Sequence, residues 1–162
     1  MCLPLLRLKH KVATHYFDQT GDCLYCVLLK RELDSGHRVV AMNDDFVALM
    51  PYASRTPFET WIMPRHHFSS FAVHPREHLR TLAELLKATL RKLNCALGNP
   101  DFNLTIDSVA RGDELKSYFL WHLRILPRLA IPAGFELGSG MSINTALPED
   151  AAAFLRQTKT ED

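Results

Sequence analysis

Apolar residues fall along this chain with two periods, and the switches between them mark its elements. Residues 4–17 (PLLRLKHKVATHYF) interleave leucines with basic residues and predict a basic amphipathic helix. After Gly21, CLYCVLLKREL predicts a short helix with Asp22 as N-cap, ended by Asp34–Ser35–Gly36. Two strands follow, 37–42 and 46–50, joined by the hairpin turn Asn43–Asp44–Asp45. Residues 51–57 read as a loop and 58–63 as a third strand, closed by Pro64. From Pro75 to Leu97, Leu79, Leu82, Leu86, Leu90 and Leu93 keep helical spacing, while Arg and Lys fill the other face. Gly98–Asn99–Pro100 stops that helix, and 102–106 form a fourth strand.

The firmest period of two lies in YFLWHLRILPR, residues 118–128. It predicts a strand over 118–126, with Leu120, His122 and Arg124 on one face and Trp121, Leu123 and Ile125 on the other. Residues 134–143 are punctuated by glycine and predict irregular structure or a short edge pair. Leu147–Pro148–Glu149–Asp150 opens a last helix, with Pro148 in its first turn. The tail beyond Gln157 is polar. Strands in hairpin order around one long helix predict the α+β class, an antiparallel sheet with helices packed on one side. The expected organisation is a helix or linker over 1–20, one domain over 21–157 and a tail over 158–162.

Composition narrows the function classes. A chain of 162 residues can bury a core of its own. A net charge of +1 with no basic stripe argues against a nucleic-acid partner. The longest apolar runs fall short of a membrane span, and Met1 to Leu6 is too short for a signal peptide, so the expected compartment is the cytoplasm. In such a reducing setting the C-x-x-C of Cys23 and Cys26 points to metal or redox use rather than a disulfide. Cys2 and Cys95 have no evident partner and read as free thiols.

His122 is the first candidate for chemistry. A histidine fixed on a rigid strand beside a cation can act as nucleophile or general base near neutral pH. The competing assignment is a core strand with one hydrogen-bonded histidine. Arg124 either stabilises charge on phosphoryl oxygens or pairs with a nearby carboxylate. Asn43 and Asp44 suit a hairpin turn regardless of function.

LWHLRILPR resembles the histidine-triad signature, with Leu120 at the first histidine position, His122 at the central, nucleophilic one and Arg124 at the third. The resemblance extends over about residues 15–157. The C-x-x-C, the strand PFETWIMP and the tail AGFELGSGMSINTALPEDAAAFLR are similar to the second half of galactose-1-phosphate uridylyltransferases and ADP-glucose phosphorylases. That family carries two tandem histidine-triad-like halves, the first holding the covalent histidine. The resemblance implies a nucleotidyltransferase acting on a nucleotide sugar and a hexose 1-phosphate through a nucleotidyl-histidine. The alternatives are a non-catalytic half that binds sugar phosphate or zinc and needs a partner chain, and a solo histidine-triad hydrolase.

The resemblance also assigns residues. Asn43, Asp44 and Phe46 sit where relatives approach the base and ribose, although Phe58 nearby suits the core. Phe135 and Glu136 match an aromatic–acid pair that holds hexose hydroxyls, and Asn144 falls where relatives also carry asparagine. Cys23, Cys26 and His67 match three zinc ligands, and the fourth maps to Leu120, which cannot ligate. His122, one step along the same face at about 6.6 Å, His66, water or loss of the metal are the ways to resolve that gap. The expected assembly is a homodimer or a pairing with an amino-terminal half.

Overall fold

The structure is a computed structural model that describes residues 4–131 and 133–160, so Cys2 and the last two residues of the tail lie outside it. Its helices are α1 (Pro4–Thr20), α2 (Leu24–Ser35), α3 (Leu79–Leu97), α4 (Gly134–Ser139) and α5 (Pro148–Gln157). Its strands are β1 (Val39–Met42), β2 (Phe46–Leu49), β3 (Thr60–Pro64), β4 (Phe102–Asp107) and β5 (His122–Pro127). The strands form one antiparallel sheet in the order β1-β2-β3-β5-β4. The α+β class therefore holds.

The helices flank both faces of the sheet, not one as the sequence pattern suggested. Trp121, Leu123 and Ile125 join Phe46, Ala48 and Ile62 in a core closed by Leu82, Leu85 and Leu93 of α3 and by Ala151, Ala152 and Leu155 of α5. On the opposite face Val47, Leu49, Met63 and Leu120 pack under Ala13 of α1 and Cys23, Tyr25 and Leu29 of α2. The reason is local. All four residues of β2, FVAL, are apolar and buried, so the strand needs cover on both sides.

Other differences are small and have causes. α2 takes Cys23 rather than Asp22 as its N-cap, in extended conformation, and no side chain caps it. β5 begins at His122, because Trp121 N–H is already committed to Phe68 C=O at 2.9 Å. Residues 134–143 include the short helix α4 where irregular structure was expected. The stop of α3 is as predicted: Gly98 takes φ +72° and its N–H caps Asn94 C=O.

One strand stands apart. β4 pairs with β5 alone, and Phe102, Leu104 and Ile106 on its α3-side face are 46%, 42% and 41% exposed. Between that face and α3 runs an apolar groove of about 450 Å³ that includes Leu86, Leu90, Phe102 and Ile125, with Lys87 and Arg91 at its margin. Among the described residues no helix is long and apolar enough to cross a membrane.

Candidate functional site

α2 and the end of β3 bring a trio of donors together. Gly21, at φ +77°, turns the chain out of α1 so that Cys23 can start α2. The spacing i, i+3 then sets Cys23 and Cys26 on one side of its first turn. Pro64 ends β3, and His67 follows in the next turn of chain. The three donor atoms all lie within 4.8 Å of one another, with Cys26 Sγ 3.2 Å from His67 Nδ1. A tetrahedral zinc with bonds of about 2.0–2.3 Å holds its ligand atoms roughly 3.3–3.8 Å apart, so the set fits the ion in identity and lies within about 1 Å of its spacing. The electrostatics agree. A hydrogen bond from the Cys26 thiol, and then His67, draw the Cys23 thiol down to about 5 against the effect of burial, and Cys26 is pushed up in return. His67 is raised, first by Cys23.

The second cluster centres on His122. Its side chain is fully buried, stacked on Trp61 at 4.4 Å between ring centroids and packed against Tyr25 at 5.0 Å and Phe119 at 5.9 Å. Nδ1 lies 3.1 Å from Leu120 C=O, and Nε2 faces Asp107 Oδ2 at 3.4 Å without forming a hydrogen bond of good geometry. The β4–β5 register makes Asp107 the direct cross-strand partner of His122. Only a doubly protonated ring would satisfy both neighbours, yet burial lowers the His122 pKa, against the pull of Asp107. Burial alone would raise the Asp107 carboxyl. The facing His122 ring and the Lys9 ammonium, which forms an ion pair with it, hold it well below the usual carboxylate range.

Arg124 is paired, not free. Its Nε and Nη2 donate to Glu59 Oε1 at 3.1 and 2.8 Å, and Nη1 lies 3.7 Å from Asp107. Trp61 Nε1 donates to the same Glu59 oxygen at 2.8 Å, and Arg55 N–H to the other at 2.8 Å. Lys9 of α1 closes the cluster, 5.5 Å from the Trp61 ring centre. Asp107, Glu59, Lys9, Trp61 and Tyr25 were not singled out in the sequence. The one usable signal was period two in FNLTID, which places Asn103, Thr105 and Asp107 on the face shared with His122.

The remaining candidates lie elsewhere. Asn43 Oδ1 accepts from Asp45 and Phe46 N–H at 3.1 and 2.8 Å, and its Nδ2 donates to Thr81 C=O at 2.9 Å, so it ties the hairpin to α3. Asp44 is exposed, with its carbonyl 3.3 Å from Arg65 Nη1. Phe46 belongs to the core, and Phe58, partly buried, packs against it. Phe135 is exposed on α4, and the Glu136 carboxylate accepts from Ala133 N–H at 3.0 Å and Ile143 N–H at 3.2 Å. Asn144 Nδ2 donates to Ser54 C=O at 3.2 Å and its Oδ1 accepts from Ala146 N–H, which fastens this loop to residues 51–57.

Comparison with known proteins gives this geometry a context. The sequence profile described as galactose-1-phosphate uridyl transferase, C-terminal domain, matches residues 9–111. The ADP-glucose phosphorylase of Arabidopsis thaliana is 36% identical over 146 residues, which cover 88% of this chain and 40% of that protein. A crystal structure of an ADP-glucose phosphorylase from the same plant, with bound ADP-glucose, has a TM-score of 0.85 at 32% identity, covering 98% of this chain and 51% of that one. The galactose-1-phosphate uridylyltransferase of Thermotoga maritima is 26% identical over 96% of this chain and 51% of its own length. The fold alone is shared with a hypothetical histidine triad nucleotide-binding protein from Sulfolobus tokodaii. That likeness has a TM-score of 0.59 at 18% identity, over 83% of this chain and 90% of that one. The chain thus spans about half the length of the curated relatives just described.

Proposed function

Because this chain belongs to the galactose-1-phosphate uridyl transferase family, we propose that it is the second half of a hexose-1-phosphate nucleotidyltransferase or phosphorylase, and that a first half supplies the covalent histidine. The observation that carries this reading is the burial of His122. An attacking imidazole needs an open path from Nε2 to a phosphorus atom. Here that nitrogen faces the Asp107 carboxylate inside a cage of Trp61, Tyr25 and Phe119. A carboxylate held as an anion repels a phosphate from the place it would have to occupy. Arg124, spent on Glu59, has no free fork to offer a phosphoryl oxygen.

In the complete enzyme the reaction is two displacements at phosphorus. The histidine of the first half forms a bond to the α-phosphorus of the nucleotide sugar as the bond to the sugar phosphate breaks. A phosphate oxygen of the second substrate then takes the nucleotidyl group and frees the imidazole. This half contributes two things. Phe135 stands exposed and Glu136 half-buried on α4, and the carboxylate can accept from neighbouring hexose hydroxyls in place of Ala133 and Ile143 N–H. Cys23, Cys26 and His67 would hold zinc, which when bound cross-links the start of α2 to the chain after β3. The half-exposed apolar face and free edge of β4 support docking of the other half, a domain of the same fold.

The test is intact mass of the purified chain after incubation with UDP-glucose or ADP-glucose, beside His122→Ala. The expected result is no adduct on either protein, and glucose 1-phosphate released only when a first half from a relative is added. A nucleotidyl adduct on the native chain that disappears in the variant would establish His122 as the nucleophile and sink this assignment.

A further inference from the structure

The donor trio is short of one ligand, and the surrounding residues determine how. A closed structural zinc site takes four protein ligands, whereas a site with three keeps a position for an outside donor. Among the described residues only Cys23, Cys26 and His67 gather close enough to share an ion. Leu120, at the position where the resemblance places a fourth ligand, is 0% exposed, belongs to the same apolar cluster as Cys23, Tyr25 and Leu29, and offers no donor atom. His122 is not a substitute, because its ring is locked between Trp61 and Tyr25 with Nε2 turned to Asp107. The outer side is different: His67 is exposed and Cys26 half-buried, so solvent reaches the trio.

We propose that zinc held by Cys23, Cys26 and His67 keeps its fourth coordination position open toward solvent and takes a small monodentate nitrogen or sulfur donor there. Leu120 is the cause. A side chain able to ligate at that position would complete the shell from inside. Leucine leaves the ion neutralised by two thiolates but coordinatively incomplete, with one accessible face. The consequence is a metal that exchanges and accepts outside ligands, unlike a closed four-ligand site.

The inference rests on the metal centre proposed above, and the experiment separates the two. Co²⁺ is loaded in place of zinc into the full 162-residue chain, and its visible spectrum is followed during titration with imidazole and, separately, azide. The expected result is one tetrahedral, thiolate-bound cobalt per chain whose bands shift saturably with each ligand. His66→Ala keeps the response. Leu120→His loses it and slows release of the ion to a chelator by at least about tenfold, since even an outer partner of a metal ligand is worth roughly 10–100-fold in affinity. No cobalt spectrum at all would overturn the metal centre itself. Bound cobalt that ignores both ligands, or responds only in His66→Ala, would overturn the open position and leave the centre standing. The titration of the native chain decides the matter even if Leu120→His fails to fold.

Discussion

Glu59 shows how a single side chain can settle what a motif leaves open. It is 1% exposed and accepts from Trp61 Nε1, Arg55 N–H and the Nε–Nη2 edge of Arg124. Removing it strands a buried guanidinium, so Glu59→Ala should cost about 3–5 kcal/mol in chemical denaturation. The double change Glu59→Leu with Arg124→Met should recover most of that loss, because a buried pair replaced by apolar groups is often near neutral. A double variant as unstable as the single one would show that Glu59 matters through Trp61 and Arg55 instead. His74 offers a second test. Burial, and then the neighbouring His78, lower its pKa below the unfolded value of about 6.5. A lowered pKa makes a contribution that is full above the unfolded value and is lost as pH falls. His74→Phe has no such loss, so its stability deficit against the native chain should shrink between pH 7.5 and 5.5. A deficit constant over that range would mean that His74 does not titrate differently in the folded chain.

At the level of elements, the sequence was legible wherever one strong local rule acted. Gly98–Asn99–Pro100 predicted the end of α3, and both Gly98 and Asn99 have positive φ there. Gly98→Ala should destabilise by about 1 kcal/mol, measured as a drop in Tm, whereas Asn99→Gly should be neutral or slightly stabilising. The face assignments along β5 also held, because the pleat admits no other alternation. What periodicity could not show was cross-strand and tertiary. Asp107 meets His122 only through the β4–β5 register, and Lys9 meets Asp107 across 98 positions of chain. Cys23 displaced Asp22 as the cap of α2 for a similar reason. Its buried place in the apolar cluster under α1 and α2 fixes where the helix starts, and a capping preference worth about 1 kcal/mol does not outweigh that. The trio of Cys23, Cys26 and His67 came together as the family resemblance implied, whereas the surroundings of His122 and Arg124 did not follow from the motif.

The whole molecule is asymmetric: four strands carry helices on both faces, and β4 carries an apolar face with little cover. In water such a surface calls for a partner. If the partner is the first half of the enzyme, Leu104→Lys should weaken its binding in trans by tenfold or more in sedimentation or calorimetry. The Tm of the isolated chain should change little, because Leu104 is already 42% exposed. Unchanged binding would place the contact elsewhere. The two-layer arrangement has a further consequence for observation. Trp121 lies in the core under α3 and α5, and Trp61 lies against the core under α1 and α2, sandwiched by His122 and Lys9. Each layer therefore carries its own fluorophore, and each indole has an imidazole against it, His122 stacked on Trp61 and His74 edge-on to Trp121. Replacing either indole by phenylalanine leaves an optical reporter for a single layer. Coincident melting of the two signals would mark one cooperative unit, and an early rise in Trp61 emission would mark the shedding of α1 while the other layer still stands.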